Sequence, residues 1–253
     1  MNMADFSLEG KLVVITGGNR GLGQGMAVVM AKAGADIVSI QRGGTCTETA
    51  ALVEALGRKC YAVSCDLATL QSAEPLAAEI EKKAGRVHIL INNAGIQRRY
   101  PAEKFPIEEW DIIMQVQLRS AFMMCQAFGG RMLERGSGKI INIASLLSFS
   151  GGVTVPAYAA AKGGIAQLTK ALANEWAARG VNVNAIAPGY MATDMNTALI
   201  DDSIRSAQIM DRIPAKRWGV PEDMGGTAVY LASKASDYVH GQVICVDGGW
   251  MAR

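Results

Sequence analysis

Short, largely apolar runs alternate along this chain with longer stretches whose apolar positions return at three- and four-residue intervals. Leu12–Thr16 leads into a helical pattern from Leu22, Ile37–Ile40 precedes Glu48–Leu56, and Tyr61–Ser64 precedes Ala73–Ala84. Further strand-like runs follow at His88–Asn92, Ile140–Ala144, Val181–Ala187 and Val243–Val246. A run without polar alternation suits a strand covered on both faces, and strand–helix alternation implies right-handed crossovers and a parallel sheet. The pattern therefore predicts an α/β fold, a doubly wound seven-stranded parallel sheet with helices on both faces. Glu108–Leu133 and Ala157–Ala178 read as long helices with apolar residues on more than one side, which points to subunit packing. With no repeat, low-complexity tract or Pro/Ser-rich linker, residues 1–253 are expected to form a single domain.

Tyr158 and Lys162 lie four residues apart, a spacing that puts both side chains on one face of a helix. An ammonium beside a phenol favours the ionised phenol, so the pair can act as an acid/base device on a substrate oxygen. Ser145, at the end of the run Lys139–Ala144, can hold the same oxygen by a hydrogen bond. The pair alone also fits a half-buried helix tyrosine beside a solvated lysine, so an independent motif is needed. One is present at the first strand, which runs into Gly17-Gly-Asn-Arg-Gly-Leu-Gly23. Gly17, Gly21 and Gly23 have the spacing of a strand-to-helix turn that lets backbone approach a pyrophosphate, although a tight turn without ligand shares it.

Taken with Asn92-Asn-Ala-Gly95 after another strand, the glycine turn and Ser145/Tyr158/Lys162 resemble the short-chain dehydrogenase/reductase family in order and spacing. The resemblance covers the whole chain. It implies a Rossmann fold with strand order 3-2-1-4-5-6-7, a nicotinamide cofactor, and hydride transfer at a carbinol or ketone carbon. Ser145 is then the substrate anchor, Tyr158 the proton donor and acceptor, and Lys162 the modulator of its pKa. Asp66 is implied near the adenine, Asn93 beside the cofactor, and Pro188, Gly189 and Thr193 along the nicotinamide, with Thr193 on the carboxamide. Asn19, Leu22, Leu67, Ala94, Gly95 and Met191 complete the expected cofactor contacts. Gln117 departs from the family, which usually has an asparagine there to shape the helix and hold a relay water near the lysine. The added methylene is expected to rearrange that relay.

Cofactor choice should be written at the end of the second strand, where a carboxylate bonds a ribose 2′-hydroxyl and cations accept a 2′-phosphate. Here Asp36–Ile40 is followed by Gln41 and Arg42, with no acid at the tip. Arg42, together with Arg20 in the glycine turn, suits a dianionic phosphate, which favours NADP(H), with NAD(H) as the alternative. In the family the segment corresponding to 192–220 forms a mobile substrate lid that excludes water; a simple amphipathic surface helix is the plainer reading.

Several stretches, among them Phe6–Lys11, Gly21–Ala27, Ile143–Phe149, Ala187–Thr193, Asp211–Gly219 and Asp247–Arg253, resemble the branch of the family that acts on 2-dehydro-3-deoxy-gluconate at carbon 5, also described as 2-deoxy-gluconate 3-dehydrogenases. A sugar acid needs a cation for its carboxylate, and Arg98 and Arg99 follow Asn92–Gly95 at the expected mouth. Ser148, Tyr190 and Trp218 are further substrate-binding candidates, and Trp250 is expected to approach a neighbouring subunit's site. An arginine in that loop equally suits a 3-oxoacyl carrier-protein reductase, and Gln117 leaves open a catalytically silent dinucleotide-binding module.

Composition narrows the classes further. Half of the 253 residues are hydrophobic, enough to bury a full core without metals or disulfides. A formal net charge of +2, with basic residues dispersed, gives no footprint for nucleic acid or an anionic membrane. Cys46, Cys60, Cys65, Cys125 and Cys245 lack CxxC spacing, and His88 and His240 stand apart, so no metal is expected. No long apolar stretch spans a membrane and Met1–Lys11 lacks signal-peptide character, so a cytoplasmic protein is expected. The family is commonly tetrameric, and a homotetramer is implied.

Overall fold

The structure, a computed structural model, describes residues 3–43 and 45–252; residues 1, 2, 44 and 253, including the ends of the Met1–Lys11 and Asp247–Arg253 stretches, lie outside the described residues. Seven strands, β1 (Leu12–Thr16), β2 (Asp36–Gln41), β3 (Cys60–Ser64), β4 (Ile89–Asn92), β5 (Gly138–Ile143), β6 (Val181–Pro188) and β7 (Val243–Val246), form one sheet in the order β3-β2-β1-β4-β5-β6-β7. Every neighbouring pair is parallel. The expected sheet and order are both present.

Side-chain alternation explains why the strands are apolar throughout. Val13, Ile15 and Ile37 pack to one side with Met26 and Met30 of α1 (Gly21–Lys32) and Ala228 and Leu231 of α9 (Gly225–Ala232). Leu12, Val14, Val38 and Ile40 pack to the other with Ile80 of α3 (Glu74–Ala84), Phe128 of α5 (Ser120–Glu134), and Leu172 and Trp176 of α6 (Pro156–Trp176). Each fully buried aliphatic contributes about 1.5–3 kcal/mol, so both faces of the central strands stabilise the sheet.

The predicted long helix at 108–133 is interrupted. It consists of α4 (Ile107–Met114), a π-turn at Gln115–Arg119, and α5. π-turns insert an extra residue, redirect side chains and cluster at functional sites; this one contains Gln117. The helix predicted over 157–178 starts on Pro156, where a missing N–H costs nothing, and ends in a 3-10 turn at Ala177–Arg179 before the left-handed Gly180. Segment 192–220 is more ordered than its sequence suggests: it holds α7 (Thr197–Ile200) and α8 (Ser203–Arg212), the latter capped by the Asp202 carboxylate, which accepts from Ile204 N at 3.1 Å and Arg205 N at 3.0 Å. Parallel strands bring the ends of β1, β2, β4, β5 and β6 to one edge, where open α/β sheets bind ligands.

Candidate active site

At that edge β1 ends in Thr16, and the chain turns through Gly17 with φ +67° into α1. Gly23 lies against the Gly17 carbonyl so closely that a Cβ would overlap it, and a Cβ on Gly17 would stand 3.1 Å from Asn93 Nδ2. Such a turn leaves backbone N–H groups at the α1 N-terminus facing outward, as a pyrophosphate requires. Asn93 Nδ2 donates to the carbonyls of Thr16 (2.9 Å) and Gly17 (3.2 Å), and the Thr16 hydroxyl accepts from the backbone N–H of Asn93 and Ala94, both at 2.9 Å. Thr16 therefore ties the tips of β1 and β4 together. Sequence reasoning passed over it as a strand residue, although a polar residue closing an apolar run was the available signal.

Gln41, at the tip of β2, is 5% exposed; its Oε1 accepts from Ser39 Oγ at 2.8 Å, while its Nε2 is buried without a protein partner. A buried amide donor left open costs free energy unless a ligand acceptor meets it. The cradle and this open donor fit a dinucleotide. Arg42 is exposed, and Arg20, also exposed, pairs with Asp194 at 3.2 Å. Thus the expected phosphate cations stand at the rim, but Arg20 is turned toward the 192–220 segment. Asp66, beyond β3, accepts from Ala68 N at 2.9 Å, and Leu67 beside it is buried. That loop is fastened by Gln115, whose Nε2 donates to the carbonyls of Leu67 (3.1 Å) and Leu70 (3.0 Å). Gln115 also went unnoticed in the sequence; a second amide in Met114-Gln-Val-Gln-Leu118 was its only trace.

Ser145 follows β5 in extended conformation and caps a 3-10 turn, its Oγ accepting from Leu147 N at 3.2 Å. The Ser148 hydroxyl donates to the Lys162 carbonyl at 2.6 Å and accepts from Ser145 N at 3.3 Å. Its hydroxyl thus fastens the Ser145 turn onto α6. Tyr158 and Lys162 do share a face of α6, with Nζ 5.6 Å from the centre of the phenol ring. The expected electrostatics differ, however. Lys162 is 4% exposed and donates to the Ile143 carbonyl at 2.7 Å, and burial lowers its pKa to about 8. Burial pushes the Tyr158 phenol up, while the facing Ser145 hydroxyl pulls it down. The ammonium thus serves a backbone carbonyl at the end of β5 rather than the phenol oxygen.

The buried Gln117 donates from Nε2 to the Ile96 carbonyl at 2.8 Å; its Oε1 has no protein partner and faces Gly95, where a Cβ would stand 3.0 Å away. The longer side chain thus reaches the loop after β4 and holds it to the π-turn.

Pro188 ends β6, and Gly189 N donates to Val246 O at 2.9 Å. Thr193 stands near Gly21, with Cγ2 3.8 Å from where a Gly21 Cβ would lie, so the glycine turn and the start of 192–220 share one crevice. Met191 is 3% exposed and its side chain packs in the core. Arg98 pairs with Glu109 at 3.2 Å, whereas Arg99 is exposed and makes no ion pair or side-chain hydrogen bond among the described residues. Tyr190 lies between Trp218 and Trp250, with ring centroids 5.6 and 4.7 Å away. Trp250 thus packs on Tyr190 of its own chain. Among the described residues no group of three His, Cys, Asp or Glu side chains is arranged to hold a metal ion.

A dinucleotide cradle and a serine–tyrosine–lysine cluster on the same strand edge define an oxidoreductase that exchanges hydride with a nicotinamide, and this chain belongs to the short-chain dehydrogenase/reductase family. The family model described as enoyl-(acyl carrier protein) reductase matches residues 17–251. Within the family, the chain is 50% identical over 248 residues to 2-dehydro-3-deoxy-D-gluconate 5-dehydrogenase of Bacillus subtilis, covering 98% of this chain and 97% of that one. Among solved structures, a protein of Beutenbergia cavernae assigned as an NAD(P)-dependent gluconate 5-dehydrogenase, with NADP bound at low occupancy, is 48% identical with a TM-score of 0.95, covering 98% of this chain and 100% of that one. An Agrobacterium tumefaciens protein assigned as a 2-deoxy-D-gluconate 3-dehydrogenase, with bound NADP, is 49% identical with a TM-score of 0.93, covering 98% and 99%.

Proposed function

We propose that this enzyme interconverts the carbinol and ketone forms of a deoxy-keto sugar acid, as a dehydrogenase of the 2-dehydro-3-deoxy-gluconate 5-dehydrogenase type, with NADP(H) as its cofactor. The observation that carries the reading is the Ser145 hydroxyl facing the Tyr158 phenol at the strand edge beside the glycine cradle. Gly17, Gly21, Gly23, Asn93 and Gln41 would hold the dinucleotide, with Arg42 and Arg20 toward a 2′-phosphate and Thr193 at the carboxamide. The bound nicotinamide supplies the hydride. Ser145 orients the substrate oxygen by hydrogen bonding, and Tyr158 gives or takes its proton at the phenol oxygen. Lys162, once turned from the Ile143 carbonyl, offsets the burial that raises the phenol. Arg99 is the better placed of the two arginines for the substrate carboxylate, because Glu109 already occupies Arg98. Segment 192–220 acts as the lid. The high identity to a sugar-acid dehydrogenase and the NADP carried by the neighbouring structures support this assignment.

We further place the enzyme in the cytoplasm, as a homotetramer. No helix among the described residues is long and apolar enough to cross a membrane. A groove of about 650 Å³ lined by Met114, Leu118, Phe122 and Leu168 runs over α4, α5 and α6, with Phe122 44% exposed, and offers a face for a second copy. Light scattering should give four times the chain mass; a monomer would remove the assembly.

The catalytic reading is tested by following oxidation of the reduced cofactor with keto-sugar acids, using a 3-oxoacyl thioester as the control. Tyr158→Phe should lower turnover by about 10³-fold, within the range that general acid–base groups supply, while cofactor affinity holds. Equal absorbance decay in both proteins would refute the role of Tyr158. Preference for the thioester would instead shift the substrate to an acyl chain.

A further inference from the structure

We infer that the turn Asp247–Trp250 is the bearing on which the 192–220 lid rotates, and that Trp250 is a positioning residue for the substrate. The inference rests on the reading of that segment as a lid and adds how its geometry is set.

The segment leaves and re-enters the domain at one place. Met191 and Gly219 form an isolated parallel bridge, with Gly219 N donating to Tyr190 O at 2.9 Å and Ala192 N to Gly219 O at 2.7 Å. A segment whose two ends lie side by side can swing as a unit about that place. Beneath it lies the turn after β7. The Asp247 carboxylate accepts from Gly249 N at 2.8 Å and Met251 N at 2.9 Å, which sets the short 3-10 turn carrying Trp250. The turn meets both the lid and the nicotinamide side. Ala215 N donates to Gly248 O at 3.0 Å, and a Cβ on Gly249 (φ +90°) would stand 3.0 Å from Pro214. On its other side, a Cβ on Gly189 would come within 2.6 Å of Asp247 Cα. Only backbone fits between these strands of chain, so a displacement of the turn is passed to the Pro188–Gly189 corner and to the lid together.

Aromatic rings complete the contact. Tyr190 meets Trp250 at 4.7 Å with the planes tilted by 53°, and Trp218 edge-on at 5.6 Å and 89°. The Arg212 guanidinium lies 4.0 Å from the centre of the Trp250 ring, and Trp218 Nε1 donates to Ser206 Oγ at 3.1 Å. The Arg212 end of α8 is thereby held to the turn, while Trp218 ties Ser206 to the segment's own return. The opposite end of the segment is held more lightly: Asn196 Nδ2 donates to the Met191 carbonyl at 2.9 Å, but Met195 is 48% and Ile204 70% exposed, and Asp194 holds Arg20 through a pair exposed on both sides. One end is therefore a bearing and the other swings across the crevice. Trp250 does not reach the reacting atoms; it fixes the angle at which the lid closes.

Trp250→Leu, which keeps apolar volume but removes the ring face, is compared with Trp250→Phe. In the leucine variant the KM for the keto-sugar acid should rise about fivefold or more, kcat and NADPH affinity should change by less than about twofold, and Trp250→Phe should recover most of the loss. Trypsin cleavage after Arg205, Arg212 and Lys216, followed by mass spectrometry, should accelerate about fivefold in Trp250→Leu but not at sites outside the lid. Unchanged lid cleavage, a phenylalanine variant no better than leucine, or an equal loss of cofactor binding would overturn the bearing. The proteolysis arm needs no substrate, so it decides the bearing even where the sugar acid proves wrong. Should the leucine variant fail to fold, hydrogen exchange of the wild type decides it: amides of residues 207–212 should exchange about tenfold more slowly than those of 194–200, and equal rates would overturn the proposal.

Discussion

The glycine turn and segment 192–220, the proposed lid, face each other across one crevice and are built in opposite ways. Around the turn, Thr16, Gly17, Gly23 and Asn93 are tied through backbone atoms and glycine contacts that leave no room for a Cβ. The start of that segment and the rim beyond β2 rest on exposed side chains: Arg20 and Asp194 keep 74% and 78% of their side-chain surface in solvent, and Arg42 is exposed. Exposed pairs contribute only about 0–1 kcal/mol each, so the rim can be retuned at little cost to folding. Chemistry common to many carbonyls needs the first kind of construction, since donors and acceptors must be fixed before substrate arrives. Selection among cofactors and substrates falls to the second.

The sharpest way to break this contrast is Gly23→Ala, which puts a methyl group into the Gly17 carbonyl. The turn must open, and NADPH affinity should fall by about 100-fold or more when titrated by fluorescence. Affinity near that of the wild type would mean that the turn is adjustable after all.

Lys162→Met tests whether the locked region spends stability on function. Burial holds Lys162 at a pKa of about 8 against an ordinary 10.5, so between these values the unfolded chain binds more protons and stability rises with pH. Below about pH 8 the folded protein carries the whole penalty of a buried ammonium. At neutral pH the methionine variant should therefore melt about 2–6 °C higher while losing about 100-fold or more in turnover. The wild-type-minus-variant difference in stability should shrink as pH rises through that window. The half-buried thiol of Cys60 and the buried thiol of Cys125, raised to about 12, act in the opposite direction but cancel in the difference. A lower melting temperature for the variant would show instead that the Lys162 bond to Ile143 outweighs the burial cost.

The smallest effect is expected at the rim. Arg42→Asp should weaken NADPH binding by about 5–30-fold and leave NADH within about twofold, because one charge-assisted phosphate contact is replaced by repulsion. An unchanged cofactor ratio would take Arg42 out of phosphate recognition and leave the choice to Arg20 and Gln41.

Much of this was legible beforehand because it is local. The apolar runs specified a sheet buried on both faces, and the spacings of Gly17, Gly21 and Gly23 and of Tyr158 and Lys162 are properties of a turn and a helix that hold wherever the fold places them. Thr16 and Gln115 were missed, and the fastening role of Ser148 with them, because their partners are distant in sequence: the backbone of Asn93 and Ala94, the Leu67 and Leu70 carbonyls, and the Lys162 carbonyl. The π-turn around Gln117 has no sequence period of its own, since it arises where α4 and α5 meet the loop after β4.

By itself the sequence determined the alternation of strands and helices, the glycine turn and the shared helix face of the proposed acid/base pair, all set by short-range periodicity and backbone sterics. Only the tertiary structure decided that Lys162 turns to Ile143, that Arg98 is occupied while Arg99 is open, and that Trp250 meets its own Tyr190. Those outcomes depend on which groups burial and packing bring within a few ångströms, and neither is written in the spacing of residues along the chain.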